Sequence, residues 1–424
     1  MQLYLKSTIL LSMFYCASGR DTKVILVSMD GFRNDYLGKT KTPYLDNLIS
    51  SGVTMKYMNN SFVTNTFPCH YTMATGLYPE THGIVGNGMY DPEFASYFTM
   101  STTEPRWWEG GEPIWITAIK HGLKAGVCSW PGSDVSIYGQ QANKWISYSQ
   151  PMPPRGRVDK VMAWMSEDNF DLGVLHFDEP DLAGHHFGPE DPKLIQVIEE
   201  MDSIIGYLIH KIESAGLMDK VNLIVTSDHG MTSIDLENKL VDLSLYVNRS
   251  LLEAVVDQES TFNLLPHKGR EDDVVAALSK VEHIHVMLRR DIPERFHLKH
   301  NRRALSVFAY ADEGWTMTMN TTQTAELANT GFKGNHGYDN ELISMKPIFI
   351  ASGPAFKVNV TVDPIQSVDI YPLICHLLHI ESEPNNGSLE RVNSMLKNHS
   401  RDGFTPLVTL TPIFIILLLS HLIW

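Results

Sequence analysis

The sequence predicts an α/β fold, a three-layer sandwich in which helices cover both faces of a mostly parallel central sheet. Two observations carry this prediction: short, continuous apolar runs recur along the chain, and amphipathic segments with helical spacing lie between them. Strands that are apolar at every position are typical of parallel sheets, because helices bury both of their faces. Alternation of such strands with helices predicts a sheet between two helical layers.

Four apolar runs are the expected strands. They are 23–29 (KVILVSM), 171–177 (DLGVLHF), 221–227 (VNLIVTS) and 347–351 (PIFIA), and we expect all four to be buried parallel strands. The intervening patterns predict amphipathic helices at 113–121, 157–165 and 191–214, and a closing helix at 365–378.

Residues 240–330 break this alternation. Short mixed segments such as 274–278 and 283–288 replace the long apolar runs. We therefore expect an inserted cap subdomain within the same folding unit.

Composition limits the classes of function. The chain has 424 residues, of which 43% are hydrophobic and 20% charged, as in an ordinary globular protein. A formal net charge of -15 argues against a nucleic-acid partner, because binding phosphate backbones needs clustered Lys and Arg. The four cysteines, at 16, 69, 128 and 375, are too few and too far apart for a disulfide-rich module or a zinc ribbon.

Both ends of the chain resemble targeting segments. Residues 1–19 have a short basic start, an apolar stretch and small residues for cleavage, as in a secretory signal peptide. Its removal would take Cys16 away and leave three cysteines, one of them without a partner in the chain. Residues 404–424 carry no Asp, Glu, Lys or Arg, which fits a transmembrane helix or the tail of a GPI-attachment signal after a spacer at 386–403.

Six Asn-x-Ser/Thr sequons fit a glycosylated cell-surface protein: Asn59, Asn248, Asn320, Asn359, Asn386 and Asn398.

Acidic residues and histidines follow the predicted strands. Asp30 and the Asp228-His229 pair come directly after apolar runs, and Asp181 ends the short segment Asp178-Glu179-Pro180-Asp181 that follows another. The carboxyl ends of parallel strands share one edge of the sheet, where open α/β sheets bind ligands. His185 is four residues after Asp181, a spacing that places two side chains on one face of a helical turn. Taken singly, each residue also has an ordinary structural interpretation. Asp30 could be a turn residue, Asp181 a helix N-cap, and His336 a solvated loop histidine.

Together, three Asp and three His form a donor set that suits Zn²⁺. Six such ligands are enough for two ions about 4 Å apart, an arrangement used in phosphoryl transfer. Thr66, where a loop runs into a helix, is then a candidate nucleophile, although it is equally placed to be an N-cap. Cys69 is the rival nucleophile, or else a small buried residue.

The chain resembles the ectonucleotide pyrophosphatase/phosphodiesterase family of the alkaline phosphatase superfamily. The likeness runs from 23 to 386 and rests on ordered motifs: SMDGFR (28–33), NTFPCHYTMATGLYPETHGIVGN (65–87), GEPIW (111–115), WPGSDV (130–135), EPDLAGHHFGP (179–189), TSDHGM (226–231) and NHGYDN (335–340). It implies an alkaline phosphatase-like fold with a catalytic domain at 20–385. The family commonly has Lys and Asn where this chain has Asn65 and Cys69, which puts the leaving-group preference in question.

The resemblance also implies residue roles. It implies two zinc ions, one bound by Asp181, His185 and His336, the other by Asp30, Asp228, His229 and Thr66. Thr66 would become phosphorylated, and Asn87 would donate a hydrogen bond to a phosphoryl oxygen. Phe67 and Tyr148 would sandwich a nucleobase, and Trp130 and Asp134 would shape that pocket.

The implied activity is extracellular hydrolysis of nucleotides such as ADP, ATP, NAD and dinucleoside polyphosphates to nucleoside 5′-monophosphates. Three alternatives stay open: a phosphodiesterase for choline esters or lysophospholipids, a phosphomonoesterase, and a non-catalytic surface protein. The intact region 130–148 favours nucleotides over lipids, and the intact ligand positions speak against a non-catalytic role.

Overall fold

The computed structural model describes residues 22–319 and 331–397. Its centre is an eight-stranded sheet, as the sequence predicts. In spatial order the strands are Val360–Val362, Val53–Met55, Phe349–Ser352, Val221–Thr226, Lys23–Met29, Leu172–Phe177, Ala125–Cys128 and Lys144–Ile146.

One strand corrects the prediction. Phe349–Ser352 lies antiparallel to both of its neighbours, whereas every other pairing in the sheet is parallel. The apolar run at 347–351 was expected to be parallel because it is buried on both faces. Burial on both faces does not determine the direction of a strand. The chain reaches Phe349–Ser352 by a short connection from the sheet edge that holds His336. The strand therefore starts at that edge and runs antiparallel to its neighbours.

The strand Lys23–Met29 shows why the fold has three layers. All seven residues are buried, and alternate side chains enter two different hydrophobic cores. Val24 and Leu26 pack in one core, while Ile25 and Val27 pack in the other. A strand with both faces covered needs helices on each side, which explains its continuous apolar sequence.

The predicted helices form, with small shifts at their ends. Those expected at 113–121, 157–165, 191–214 and 365–378 are Ile114–Lys120, Pro154–Ser166, Pro192–Ser214 and Ile370–Leu377. The other described helices are Pro43–Ser51, Thr66–Thr75, Pro79–His82, Asp181–Phe187, Glu271–Leu278 and Leu389–Val392.

The region expected to be a cap contains a second, antiparallel sheet. Its strands are Leu252–Asp257, Thr261–Pro266, Val307–Ala311 and Ile284–Leu288, and they share a separate hydrophobic core with the helix Glu271–Leu278. We call residues 257–260, which join the first two strands, the hairpin tip. Ala254 and Val256 pack against Tyr90, and this contact holds the hairpin close to Asn87.

Short strand pairs complete the described structure. They are Met89–Asp91 with Ser96–Phe98, Thr232–Ser233 with Gly334–Asn335, and Leu240–Asp242 with Thr316–Thr318.

The predicted signal (1–19) and the apolar tail (404–424) lie outside the described residues. Within the described part of the chain, no helix combines the length and the apolar character needed to cross a membrane. Cys69, Cys128 and Cys375 are all buried and unpaired.

Four sequons fall on described residues. Asn248, Asn359 and Asn386 are exposed, whereas Asn59 is partly buried and its Oδ1 accepts a hydrogen bond from Lys346. Asn320 and Asn398 lie outside the described residues.

Candidate active site

Three adjacent strands bring the predicted acids to one edge of the sheet. Asp30 follows Lys23–Met29, Asp181 follows the neighbouring strand Leu172–Phe177, and Asp228 follows the strand on the other side. Gly31 has a φ of +68°, and a Cβ at this position would lie 2.9 Å from the Cα of Asp181. Glycine at this position therefore lets the first two strand ends approach each other closely.

The structure brings the candidate ligands together in two overlapping groups. Donor atoms of Asp30, Asp228 and His229 lie within 4.8 Å of one another, as do those of Asp181, His229 and His336. His185 joins the second group, with its Nε2 3.4 Å from Asp181 Oδ2. His229 belongs to both groups, and its ring stacks on that of His336 at 3.7 Å. The sequence analysis had assigned His229 to one ion alone.

Asp181 and His185 lie on one face of a helical turn, as their spacing in the sequence predicts. Asp181 is the first residue of the helix Asp181–Phe187, and His185 follows one turn later on the same face. His336 enters from the segment after the antiparallel sheet, and its Nδ1 is held by the carbonyl oxygen of Thr64 at 2.9 Å.

The unpaired atoms of this site fit a divalent metal. The buried atoms Asp30 Oδ1, Asp181 Oδ1, Asp228 Oδ2 and His229 Nε2 make no hydrogen bond of regular geometry, although His229 Nε2 lies only 3.0 Å from Asp228 Oδ2. A buried polar atom without a partner costs free energy, and four in one place call for a shared ligand. Carboxylate oxygens and imidazole nitrogens are donors that zinc prefers.

Electrostatics supports the same interpretation. Burial, followed by the charges of Asp228 and Asp181, raises the pKa of Asp30 well above its usual value. Burial also opposes the charge on Asp228, but His229 and His70 hold its pKa well below the usual value. Crowded carboxylates repel one another unless positive charge lies between them, and a bound cation supplies that charge.

The candidate nucleophile is the first residue of a helix. Thr66 is buried and begins the helix Thr66–Thr75, so Asn65 is the N-cap residue and Thr66 is not. Asn87 Oδ1 accepts a hydrogen bond from the backbone N–H of Phe67 at 2.9 Å. With its oxygen so engaged, the amide NH₂ of Asn87 is the group that remains to donate to a substrate oxygen.

Cys69 is a poor rival. It is fully buried, and burial, followed by the charge of Asp228, raises the pKa of its thiol well above the usual value. The thiolate is the reactive form, so a raised pKa disfavours attack by this residue.

Two buried histidines were missed by the sequence analysis. His176 Nε2 lies 3.0 Å from Asp30 Oδ2 and its Nδ1 has no partner, while His70 Nδ1 lies 2.7 Å from the carbonyl oxygen of Thr66. A signal for each was present. His176 is a polar residue inside an apolar run, and His70 is one helical turn after Thr66.

The predicted nucleobase pocket is only partly formed. The rings of Phe67 and Tyr148 are in edge-to-face contact, with centroids 5.0 Å apart and planes at 84°, so no slot for a base lies between them. A sandwich requires Tyr148 to turn. Trp130 is wholly buried and donates from Nε1 to the carbonyl oxygen of His70, which makes it a core residue. Asp134 accepts a hydrogen bond from Ser147, next to Tyr148.

The hairpin tip was also missed. Asp257, Gln258 and Glu259 reach the site from the antiparallel sheet and line a cavity of about 410 Å³ together with Asn65 and Asn87. No motif marked these residues, because acids beside a turn are common in any hairpin.

Comparison with known proteins agrees with this geometry. Residues 24–339 match the family profile described as type I phosphodiesterase / nucleotide pyrophosphatase. The chain is 41% identical to human (Homo sapiens) ectonucleotide pyrophosphatase/phosphodiesterase family member 5 over 381 residues, which cover 89% of this chain and 78% of the relative. It is 39% identical to bis(5'-adenosyl)-triphosphatase enpp4 of Mus musculus over 381 residues, covering 88% and 81%.

The fold is shared with solved structures of this group. Murine ectonucleotide pyrophosphatase / phosphodiesterase 5, an inactive threonine-to-alanine variant in complex with AMP, superimposes with a TM-score of 0.84 at 40% identity. The match covers 89% of this chain and 100% of the murine chain.

Proposed function

This chain belongs to the type I phosphodiesterase / nucleotide pyrophosphatase family, and we propose that it is a two-zinc ectoenzyme that converts nucleotides to nucleoside 5′-monophosphates. Membership of the family makes it a hydrolase of phosphodiester or pyrophosphate bonds. The observation that carries the proposal is the meeting of three carboxylates and three histidines, with four buried donor atoms that make no regular hydrogen bond within the protein. His70 connects this group to Thr66, because its Nδ1 lies 3.3 Å from Asp228 Oδ2 and 2.7 Å from the carbonyl oxygen of Thr66.

We assign the ligands as the motifs suggest. Asp181, His185 and His336 would hold one zinc, and Asp30, Asp228, His229 and Thr66 the other. When bound, zinc supplies Lewis-acid stabilisation of negative charge and lowers the pKa of hydroxyl groups.

Thr66 is the proposed nucleophile. The hydroxyl of Thr66 loses its proton to solvent and Oγ1 forms a bond to the phosphorus of the substrate, while the bond from phosphorus to the leaving-group oxygen breaks, which gives a phosphothreonine. Water then loses a proton to solvent and attacks the same phosphorus, the bond to Oγ1 breaks, Oγ1 takes up a proton, and the nucleoside 5′-monophosphate leaves. The murine relative's inactive threonine-to-alanine variant supports this assignment.

Other residues of the chain hold Thr66 and stabilise charge. His70 fixes the carbonyl oxygen of Thr66, which sets the position of the helix start. Asn87 donates from its NH₂ to a non-bridging oxygen as negative charge grows there. Stabilisation of this kind is among the largest contributions that single residues make to catalysis.

The AMP complex of the murine relative supports a nucleotide as substrate. We place the nucleobase next to Phe67 and Tyr148, with Tyr148 turning to open the slot. We further propose an extracellular, membrane-anchored protein, on the basis of the sequence features at 1–19 and 404–424 and of the exposed sequons.

Product analysis over a nucleotide panel tests the proposal. The secreted ectodomain is incubated with ATP, ADP, NAD and diadenosine polyphosphates, with and without a chelator, and the products are separated by chromatography. We expect AMP from each, loss of activity with the chelator, and recovery on addition of Zn²⁺. Orthophosphate as the first product would indicate a phosphomonoesterase instead.

A pair of chromogenic esters separates the main alternative. We expect p-nitrophenyl-TMP to be cleaved faster than p-nitrophenyl-phosphorylcholine. A preference for the choline ester would assign the chain to choline phosphodiesters or lysophospholipids.

A further inference from the structure

The hairpin tip forms one wall of a cavity next to the predicted catalytic residues. The cavity, of about 410 Å³, is lined by Asn65, Asn87 and His185 on one side and by Asp257, Gln258 and Glu259 on the other. Its volume is sufficient for a small organic group.

The cavity and the aromatic pair are each bounded by a residue that flanks Thr66 in the chain. The side chain of Asn65 lines the cavity together with His185 and His336, whereas the ring of Phe67 contacts Tyr148. A nucleotide whose base is next to Phe67 and whose reacting phosphorus is at Thr66 therefore directs its leaving group toward the cavity.

The charge of this cavity is unusual for a site that would receive a polyphosphate. Two carboxylates, Asp257 and Glu259, line it, and among the described residues that line it there is no Lys or Arg. Lys333, the neighbour of Phe332 in the chain, is exposed and is not among the lining residues.

Gln258 fixes the tip against the catalytic loop. Its Oε1 accepts hydrogen bonds from the backbone N–H of Asn87 at 2.8 Å and from Asn65 Nδ2 at 3.0 Å. Glu259 is held in turn by Asn335 Nδ2 at 2.8 Å. Gln258 Nε2 is buried and has no acceptor among the described groups. The carboxylates are therefore held in place at the cavity wall.

Resting on the function proposed above, we propose that the hairpin tip selects the leaving group by charge. The cavity favours a leaving group whose far end is cationic or uncharged and disfavours a polyphosphate. The reason is Coulombic: a single charge pair 6 to 8 Å apart at a partly buried site changes affinity roughly three- to thirty-fold.

The sharpest test uses two substrates that differ by one charge. NAD⁺ and NADH have the same AMP half and nearly the same shape, but only the oxidised form carries a positive nicotinamide ring. We expect the wild-type holoenzyme to release AMP from NAD⁺ with a kcat/KM about three- to ten-fold higher than from NADH. ATP, with a pyrophosphate leaving group, should be the poorest of the three.

Variants assign the effect to the tip. Glu259→Gln removes one charge while its amide oxygen can still accept from Asn335, and it should bring the NAD⁺ to NADH ratio toward one and raise kcat/KM for ATP. Asp257→Asn should act in the same direction but less strongly at neutral pH, because burial raises the pKa of Asp257 to about 7. Glu253→Gln, on the same hairpin but exposed to solvent, is the matched control and should leave the ratio unchanged.

A variant with an added negative charge tests whether misfolding, rather than charge, explains the changes in the two neutral variants. Gln258→Glu adds a negative charge, keeps an acceptor for Asn87 and gives up an Nε2 that makes no hydrogen bond. It should raise the preference for NAD⁺ over NADH.

The outcomes separate the two proposals. A ratio near one in the wild type, or a ratio that neither Glu259→Gln nor Asp257→Asn alters, overturns charge selection and leaves nucleotide hydrolysis intact. If the metal-loaded protein releases AMP from none of the substrates, the proposed function fails, and charge selection fails with it.

Discussion

The edge of the parallel sheet and the hairpin tip both contribute buried polar side chains to one site, but they are held there in different ways. Asp30, Asp181 and Asp228 are fixed by the backbone of three adjacent strands. The tip depends on side-chain hydrogen bonds, above all those of Gln258. Under the proposed function, the sheet edge holds the groups that react with the substrate, and the tip modifies their surroundings. Changes at the edge should therefore be severe, and changes at the tip graded.

The largest effect is expected at the nucleophile. Thr66→Ala removes the only hydroxyl proposed to bond to phosphorus, so kcat should fall by about a thousand-fold or more. Zinc content, measured by elemental analysis, should remain largely unchanged, because the carboxylates and histidines stay in place.

Thr75→Ala is the matched control for this change. Thr75 is on the same helix, and its Oγ1 donates to the carbonyl oxygen of Tyr71 at 2.7 Å and accepts from the backbone N–H of Leu77 at 3.3 Å. Comparable losses in both variants would indicate damage to the helix rather than loss of a nucleophile. Full activity in Thr66→Ala would show that another group attacks.

His176 is expected to act through Asp30. His176→Leu removes the hydrogen bond to Asp30 Oδ2, and partners of this kind typically change metal affinity by about 10- to 100-fold. Zinc affinity is measured by competition with a chromophoric chelator, which does not depend on turnover.

His176→Gln separates the hydrogen bond from the bulk of the ring. Its amide can still donate to Asp30, so zinc affinity should lie between those of the wild type and His176→Leu. Equal affinities in all three proteins would limit His176 to a packing role.

At the tip, Gln258→Ala should have a smaller effect. The substitution releases the backbone of Asn87 and the side chain of Asn65, so the phosphate-binding amide loses support but is not removed. We expect kcat to fall about ten-fold with little change in zinc affinity. A loss as large as that of Thr66→Ala would contradict the division between edge and tip.

The same division explains what the sequence could predict. The meeting of Asp30, Asp181 and Asp228 could be predicted because each follows an apolar run, and the carboxyl ends of parallel strands lie at one edge of a sheet. The prediction that Phe349–Ser352 is parallel was wrong, because burial alone does not determine the direction of a strand. The roles of Gln258 and Glu259 could not be predicted. They depend on how a separate antiparallel sheet packs against Tyr90, and no local sequence pattern indicates that packing.

Aromatic residues illustrate a second limit. The sequence placed Phe67, Tyr148 and Trp130 in one pocket, but only the structure separates the buried Trp130, which supports His70, from the pair whose rings touch. The sequence shows where the aromatic residues are, but only their packing in the structure shows whether a ligand can contact their rings.

The smallest expected effect is the response of stability to acid at two buried groups, one of them at the hairpin tip and the other on the helix Pro79–His82, away from it. Burial lowers the pKa of His82, in the unit that carries the sheet, to about 3, and the charge of Arg303 contributes. Its Nδ1 accepts from the backbone N–H of Ile84 at 3.1 Å, so the folded state requires the neutral ring. Burial, followed by the charge of Glu259, raises the pKa of Asp257 to about 7.

These two shifts predict opposite changes in stability between pH 7 and pH 6. Over this range the unfolded state takes up a proton at His82 and the folded state does not, so the free energy of unfolding falls by about 0.7 kcal/mol. At Asp257 the folded state takes up the proton, so the free energy of unfolding rises by about 1 kcal/mol. Urea unfolding of the wild type, His82→Gln and Asp257→Asn at both pH values measures each contribution as a difference. His82→Gln should gain stability relative to the wild type on acidification, and Asp257→Asn should lose it. If the stability of both variants changed in the same direction relative to the wild type, burial would not be shifting the pKa values of His82 and Asp257 as described.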